Sequence, residues 1–265
     1  MKNLKIISSI FFCVTGLCTS LFAGASVKVD MEKTNAPISK YIYGQFIEHL
    51  GNCFYGGLWA EMISDRKFYY PVTDDYNPWG TDEDHSWKSG RFNFLNASPW
   101  KVIGPIGTVG MDTNHPFVGK HTPVIHPSGD GTFAGISQEG LGVLKGKKYT
   151  GHIILAGDEA ALPVQVRLVL DDGSIVAQNI EKIGADYQSY PLEFTAPVAS
   201  RNARIEIVSR GKGSFRIGTL SLMPADNING WRKDVIALLQ QLDSPIYRWP
   251  GGNFVSGYDW RDGIG

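Results

Sequence analysis

The 265-residue chain is long enough for one large domain or two ordinary ones, and its 43% hydrophobic and 12% aromatic content can build a packed core, which excludes an intrinsically disordered protein. Its formal net charge of −1 becomes −3 if residues 1–25 are removed, because that segment carries Lys2 and Lys5 and no acid. A slightly acidic chain of this kind argues against a nucleic-acid partner.

The first 25 residues have the three-part pattern of a secretory signal peptide: two lysines, the apolar run IISSIFFCVTGLC, and small residues in LFAGA. Polar residues inside the run leave it short of the roughly 20 apolar residues that a membrane anchor needs. We therefore expect export to the periplasm or the extracellular space, with no membrane association after signal removal. Cleavage removes Cys13 and Cys18, so Cys53 has no intramolecular disulfide partner and the exported chain relies on packing.

Residues 38–70 predict a strand followed by a helix. The stretch ISKYIYGQFIEHLG indicates a strand that enters a loop, and LWAEMISDRKF indicates a helix with Leu58, Met62 and Ile63 on one side. Between about residues 94 and 224 the pattern changes to apolar and polar alternation, which predicts an antiparallel, jelly-roll-like β-sandwich. The DDG at residues 171–173 predicts a hairpin turn, since Asp-Gly supplies the positive φ that a tight turn needs.

Helical spacing returns in GWRKDVIALLQQLDS, where Asp226 or Asn229 is the candidate cap. The apolar stripe of this helix consists of Val235, Leu238, Leu239 and Leu242. PIYRWPGG then predicts a short buried strand that opens into a Gly-rich loop. A β-α-β unit normally needs only about 30 residues, so the sandwich is predicted to be an insertion into an α/β framework. The predicted units are 1–25 (signal), 26–93 (first strand and helix), 94–224 (inserted sandwich) and 225–265 (second helix and strand).

Three polar residues lie where the two predicted framework strands end. Glu48 follows the first strand, and Arg248 and Asn253 flank the Gly251-Gly252 pair after the second. Ligands of α/β barrels and open sheets bind at the carboxyl ends of strands, so these side chains are candidate binding groups. The alternative is structural, with Glu48 paired to Arg248 or Arg66 and the glycines making only a turn.

Aromatic residues and further carboxylates accompany these loops. Aromatic faces are the usual platform for a sugar ring, although core packing is an equally good explanation for each one singly. The aromatics are Tyr55, Trp59, Trp249, Tyr258 and Trp260, and the carboxylates are Glu61, Asp259 and Asp262. His115, His121 and His126 lack the tight spacing of closed zinc sites, and no Walker loop, HExxH or GxSxG is present, so we predict no metal and no cofactor.

Three separated motifs resemble one enzyme family. YGQFIEHLGNCFYGGLWAEMISDRKF, SLMPADNINGWRKDVIALL and RWPGGNFVSGYDWRDGIG are together similar to the N-terminal third of α-L-arabinofuranosidases of glycoside hydrolase family 51. The segments NASPWKVIG and PFVGKHTPVI resemble the carbohydrate-binding-module-like sandwich that one branch of the family carries between its first two barrel strands. The resemblance implies a (β/α)8 barrel that releases terminal arabinofuranose from arabinan and arabinoxylan with retention of configuration.

Carried over by motif, Glu48 and Asn253 match residues that hydrogen-bond the arabinose hydroxyls, and Arg248 supports them. The resemblance places the catalytic glutamates on later barrel strands, so the chain is expected to be a truncated part of a longer enzyme, with no catalytic residue and no activity on aryl arabinofuranosides alone. The expected partner is an arabinose-containing plant polysaccharide or oligosaccharide, and oligomerisation of the full-length parent stays open. The alternatives are a non-catalytic carbohydrate-binding module, or a sister endoglucanase or xylosidase.

Overall fold

The computed structural model describes residues 26–48, 53–72 and 98–259, so the expectations for the signal segment, Trp260 and Asp262 lie outside it. The chain divides into two compact units, residues 1–42 and 43–265. The described residues of the first unit are exposed and mostly irregular. Within the described ranges no helix has the length and apolar character to cross a membrane.

The second unit consists mainly of short and medium β-strands. The strands are β1 (Gln45–Phe46), β2 (Trp100–Ile103), β3 (Val109–Asp112), β4 (Thr122–Ile125), β5 (Ala134–Val143), β6 (Lys148–Gly157), β7 (Val164–Val169), β8 (Ile175–Ile180), β9 (Gln188–Thr195), β10 (Ser200–Ser209), β11 (Phe215–Pro224) and β12 (Tyr247–Arg248). The α-helix α1 covers Lys233–Leu242, and 3-10 helices cover Lys40–Tyr43, Glu159–Ala161 and Gly252–Gly257.

Ten of these strands form two five-stranded antiparallel sheets, in the orders β2-β5-β10-β7-β8 and β3-β4-β11-β6-β9. Alternating side chains of both sheets, such as Ile205 in one and Ile153 in the other, are fully buried in one hydrophobic cluster. The antiparallel sheets predicted from the alternation are thereby confirmed. The predicted hairpin also forms, since residues 171–173 join β7 to β8 with Gly173 at φ +84°.

The helix predicted from LWAEMISDRKF is wrong. Residues 58–72, which we call the strap, are extended or turned and run beside β11. Met62 N donates to the Leu222 carbonyl at 2.9 Å, and Leu220 N donates to the Arg66 carbonyl at 3.2 Å. Ile63 and Phe68 enter the hydrophobic cluster of the sheets. Burial of these side chains and pairing of the strap backbone with β11 together override the local helical preference.

Two buried polar side chains fasten the strap to the sandwich. The Glu61 side chain accepts hydrogen bonds from Ile63 N (3.0 Å), Leu222 N (3.0 Å) and Ser221 Oγ (2.6 Å). Gln138 of β5 bonds Ser64 twice: its Oε1 accepts from the backbone N–H and its Nε2 donates to the carbonyl, both at 2.8 Å. Because each bond satisfies a backbone or side-chain group removed from water, the strap is part of the sandwich fold.

A partly buried ion pair on the second sheet gives the fold a pH dependence. Arg216 Nε donates to Asp112 Oδ2 at 2.5 Å, and this bond lowers the pKa of Asp112 from 3.8 to about 2. A depressed carboxyl pKa contributes stability above the unfolded pKa and loses it as pH falls from about 4 to about 2. We expect Arg216→Met to raise the Asp112 pKa toward 3.8. The free energy of unfolding of the variant should then depend less on pH between about 4 and about 2. Carboxyl NMR titration, combined with urea unfolding at several pH values, measures both, and an unchanged Asp112 pKa in the variant would contradict the assignment.

The helix predicted near the end of the chain is confirmed as α1, but its cap is not as predicted. Arg232 is the N-cap residue and makes no side-chain cap bond. Asp226 instead pairs with Lys147 at 3.2 Å, and Asn229 adopts φ +51° before the helix begins. The predicted stripe is only partly covered: Leu238 and Leu242 are 63% and 57% exposed, whereas Val235 and Leu239 are half-buried.

The two framework strands are shorter than predicted. Only Gln45–Phe46 and Tyr247–Arg248 are strand, and a 3-10 helix at Lys40–Tyr43 takes the place of the first part of the predicted strand. The second strand is not buried as predicted, since Tyr247 is half-buried and Arg248 is exposed. The two strands nevertheless pair in parallel, which is the arrangement a β-α-β connection produces.

Candidate functional site

The parallel pairing of β1 and β12 brings the residues that follow each strand to one edge. Phe46 is opposite Arg248, and Ile47 N donates to the Arg248 carbonyl at 2.9 Å. The pairing continues past the strands, because Gly251 N donates to the Ile47 carbonyl at 2.6 Å. The sequence prediction that Glu48 and the Gly-Gly-Asn turn belong to one edge therefore matches the backbone geometry.

The glycine pair allows Glu48 to lie directly against the turn. A Cβ on Gly252 would overlap the carboxyl group of Glu48, and a Cβ on Gly251 would overlap the ring of Phe46. Gly252 also has φ +65°, a conformation that side-chain-bearing residues rarely adopt. The left-handed φ favours glycine at position 252, and a Cβ there would force the half-buried Glu48 carboxyl group to move away from the turn.

The other two predicted site residues are exposed at the same edge. Asn253 lies in the 3-10 helix Gly252–Gly257, and the Arg248 guanidinium lies 5.5 Å from the centroid of the Phe46 ring. Among the described residues, Glu48 makes no ion pair with either Arg248 or Arg66, so the structural alternative considered for it is not observed. A carboxyl acceptor, an amide that donates and accepts, and a guanidinium donor suit an array of sugar hydroxyls.

A cluster of aromatic rings adjoins this edge and joins it to the strap. Phe54 stacks on Trp249 with centroids 5.3 Å apart and on Trp59 at 5.8 Å. Trp231 meets Phe54 and Trp249 edge-on, both at 6.0 Å, and Tyr55 packs on Trp59 at 5.5 Å. The sequence reasoning named Tyr55, Trp59 and Trp249 but missed Phe54 and Trp231. Trp231 carries no local signal, because its partner Phe54 is distant in sequence, whereas Phe54 directly precedes Tyr55 and could have been included with it.

The remaining sequence candidates have other positions. Glu61 bonds the strap to β11, and Asp259 is half-buried after the 3-10 helix. His115 Nδ1 lies 3.8 Å from Asp112, and His121 Nε2 lies 3.0 Å from the Phe68 carbonyl oxygen. Within the described ranges, His, Cys, Asp and Glu side chains form no group of three suited to a metal ion.

Sequence comparison aligns nearly all of the chain with named enzymes. Alpha-L-arabinofuranosidase 2 of Arabidopsis thaliana is 24% identical over 254 residues, which cover 89% of this chain and 35% of the relative. The extracellular exo-alpha-L-arabinofuranosidase of Streptomyces chartreusis is 24% identical over 263 residues, which cover 91% of this chain and 29% of the relative. This chain is similar to α-L-arabinofuranosidases.

A shorter stretch matches at higher identity. The intracellular exo-alpha-(1->5)-L-arabinofuranosidase of Halalkalibacterium halodurans is 60% identical over 42 residues, which cover 16% of this chain and 8% of the relative. The resemblance to α-L-arabinofuranosidases predicted from the motifs is confirmed, and these relatives are glycoside hydrolases. The chain spans about a third of the length of the first curated relatives. No protein-family model matches the chain.

Solved structures give weaker likenesses. One titled "CBM4 structure and function" is 18% identical, covers 61% of this chain and 99% of its own, and has a TM-score of 0.40. Another, titled "Family 16 Carbohydrate Binding Module-2", is 15% identical, covers 44% of this chain and 85% of its own, and has a TM-score of 0.33. Both scores are low, so the assignment of antiparallel sheets rests on the hydrogen-bonded strands themselves.

Proposed function

We propose that the chain forms the amino-terminal part of an exported, retaining α-L-arabinofuranosidase of glycoside hydrolase family 51. In this proposal β1, α1 and β12 belong to a (β/α)8 barrel, and the sandwich is inserted between its first two strands. In the proposed barrel, Glu48, Arg248 and Asn253 form part of the sugar-binding site. The expected substrates are terminal arabinofuranosyl residues of arabinan or arabinoxylan.

One observation carries the proposal. The parallel pair β1–β12 brings Glu48 and the Gly251-Gly252-Asn253 turn to the same edge, and glycine at position 252 leaves room for the Glu48 carboxyl group directly against the turn. Carboxyl ends of parallel strands are where α/β folds bind ligands. The choice of arabinofuranose as the ligand comes from the relatives named α-L-arabinofuranosidases, which align with about nine-tenths of the chain.

Each residue has a distinct task in this site. The Glu48 carboxyl group accepts hydrogen bonds from two neighbouring sugar hydroxyls, which fixes the face of the ring. The Asn253 amide donates to one hydroxyl and accepts from the next. Arg248 lies over the Phe46 ring, which restricts the guanidinium and leaves N–H donors at the edge for a ring or hydroxyl oxygen.

Replacing Asn253 with alanine tests the site. We expect Asn253→Ala to raise the dissociation constant for methyl α-L-arabinofuranoside about tenfold, because two hydrogen bonds of roughly 1 kcal/mol each are lost in part to water. NMR titration of the 265-residue chain measures this weak binding. Asn202→Ala, an exposed asparagine on β10, is the matched control and is expected to leave affinity unchanged. Equal affinity of the Asn253→Ala variant and the control would show that Asn253 does not contact the sugar.

The sandwich supports a second candidate function, that of a non-catalytic carbohydrate-binding module. Its ten strands enclose their own hydrophobic cluster, as an independently folding module requires. Affinity electrophoresis of the chain in arabinan and arabinoxylan distinguishes the two candidates when Asn253→Ala is run beside it. Retardation that survives the substitution favours the module, and retardation that disappears favours the sugar site at the strand ends.

A further inference from the structure

The outer face of the first sheet, the side turned away from the hydrophobic cluster, carries a group of arginines. Ile205 and Ile207 of β10 are fully buried in the cluster, and successive side chains of a strand point to opposite faces. Arg204 and Glu206 therefore lie on the outer face, and Arg167 of β7 is directly opposite Glu206 in the strand register. The outer face is thus charged where the inner face is apolar.

One aromatic ring brings two guanidinium groups of this face together. The guanidinium carbons of Arg167 and Arg210 lie over the Phe133 ring, 4.2 and 3.6 Å from its centroid. Such a contact restricts a guanidinium group while its N–H donors stay available for other partners. Arg210 is exposed and forms no ion pair within the described ranges, so no carboxylate of that part of the chain neutralises it.

The acidic side chains of the first sheet are too few to balance its cations. Glu206, whose side chain is only 4% exposed, accepts hydrogen bonds from Arg167 Nε at 2.8 Å and from Arg204 Nε at 2.6 Å. Lys101 of β2 pairs with Glu139 of β5 at 2.7 Å. One buried carboxylate therefore serves two guanidinium groups, and the exposed arginine over the aromatic ring adds a further positive charge. The face has a local excess of positive charge on a chain whose net charge is −1.

Acidic residues in the adjoining turns bind backbone groups. Asp130, in the turn before β5, accepts from Thr132 N at 2.8 Å. Asp171, in the β7–β8 turn, accepts from Arg201 N at 2.9 Å. Arg201 is near the start of β10 and Arg210 directly follows its end, so Asp171 is at the opposite end of the strand from Arg210. The unbalanced positive charge is therefore concentrated near the end of β10.

Neutral hydrogen-bonding groups lie beside the arginines. Gln165 is two residues before Arg167 on β7 and so shares the outer face. It is opposite Asn179 of β8, and its Nε2 donates to Asn179 Oδ1 at 3.0 Å. Side-chain amides can donate to and accept from sugar hydroxyls, and the planar guanidinium group matches the geometry of a carboxylate. A ligand that carries both hydroxyls and a carboxylate suits this combination.

We propose that the outer face of the first sheet binds an acidic oligosaccharide, with the Arg210 guanidinium group pairing with the carboxylate of a uronic acid residue. The Gln165 and Asn179 amides bond the hydroxyls of the same residue or of its neighbour. The choice of a uronic acid over other carboxylates rests on the proposed function, because the similarity to glycoside hydrolases is what indicates a glycan.

Isothermal titration calorimetry of the 265-residue chain tests this face with two acidic probes, trigalacturonic acid and xylotriose substituted with glucuronic acid. Each probe is compared with its methyl ester, which keeps the hydroxyls and removes the charge. We expect at least one acid to bind, and its ester to bind about three- to tenfold more weakly, the range for losing one charge-assisted contact at an exposed site. The acid that binds identifies the uronic acid.

Arg210→Gln is expected to weaken binding of that acid by the same three- to tenfold. Arg201→Gln changes the net charge equally on the same strand but at its other end, and is the matched control that should stay within about twofold of the parent chain. Thermal melts of both variants establish that the chain is folded. No heat with either acid, equal affinity of acid and ester, or equal affinity of the two variants would overturn the proposal.

Asn253→Ala in the same titration separates this inference from the proposed function. Acid binding that is weakened by Arg210→Gln and retained in Asn253→Ala supports a site on the sandwich, whether or not methyl α-L-arabinofuranoside binds at the strand ends. Acid binding that is lost in Asn253→Ala and unchanged in Arg210→Gln overturns the site on the sandwich and leaves the strand-end site in place.

Discussion

Replacing Glu61 with alanine is expected to lower the free energy of unfolding by about 3 kcal/mol, the range for removing a buried, fully bonded polar group. The substitution leaves Ile63 N, Leu222 N and the Ser221 hydroxyl without their acceptor in a site where Glu61 is only 8% exposed. The strap is then expected to separate from β11 before the sheets unfold. Urea unfolding measures the free energy, and amide exchange of strap residues measures the local opening.

Glu61→Gln is the matched control for this effect. The amide keeps an oxygen for Ile63 N and Leu222 N, and its nitrogen can donate to Ser221 Oγ, so we expect a loss of only about 1 kcal/mol. A loss in Glu61→Ala no larger than in Glu61→Gln would show that the three hydrogen bonds do not hold the strap. Amide exchange in Glu61→Ala that stays as slow throughout the strap as in the parent chain would contradict the same account.

The second large effect is expected at the turn after β12. Gly252→Ala is expected to raise the dissociation constant for methyl α-L-arabinofuranoside at least about tenfold, because the new Cβ overlaps the Glu48 carboxyl group and displaces it. The variant should also lose about 1–2 kcal/mol of unfolding free energy, since an L-residue resists φ +65°. NMR titration measures the affinity, and urea unfolding measures the stability.

Gly257→Ala is the control for this substitution. Gly257 closes the same 3-10 helix, and a Cβ there would meet no atom within 4 Å. We expect its affinity and stability to equal those of the parent chain. If Gly252→Ala bound the sugar as tightly as Gly257→Ala, the position of Glu48 beside the turn would have no bearing on recognition.

The elements predicted correctly are those whose conformation is determined by the local sequence pattern. Apolar and polar alternation identified the sandwich strands because each strand buries one face, and the Asp-Gly pair identified the β7–β8 turn because φ +84° at Gly173 is a local requirement. Period-3.6 spacing identified α1. The strap was misread because Leu58, Met62 and Ile63 recur with helical spacing, while the partners that decide its conformation, Glu61 with β11 and Gln138 with Ser64, are distant in sequence.

The part of the site that could be predicted is the part whose position follows from the order of the strands. Placing Glu48 and Asn253 after two adjacent parallel strands needed only the rule that ligands bind at carboxyl ends, and the β1–β12 pairing agrees. The sugar-binding role of Glu48, Arg248 and Asn253 stays a prediction. The aromatic cluster was only partly predictable, since Phe54 and Trp231 come together through the tertiary fold. The close approach of Gly252 to Glu48 was likewise invisible in sequence, because it depends on the register of the two strands.

The central claim is that Glu48 and the Gly-Gly-Asn turn form a binding site for arabinofuranose. Its most direct test is a ¹H–¹⁵N spectrum of the 265-residue chain titrated with methyl α-L-arabinofuranoside, and with methyl β-D-xylopyranoside for comparison. The account predicts saturable shifts centred on the amides of Gly251, Gly252 and Asn253 with the arabinoside, and weaker shifts with the xyloside. A spectrum in which these three amides do not move, while the chain remains folded, would contradict it.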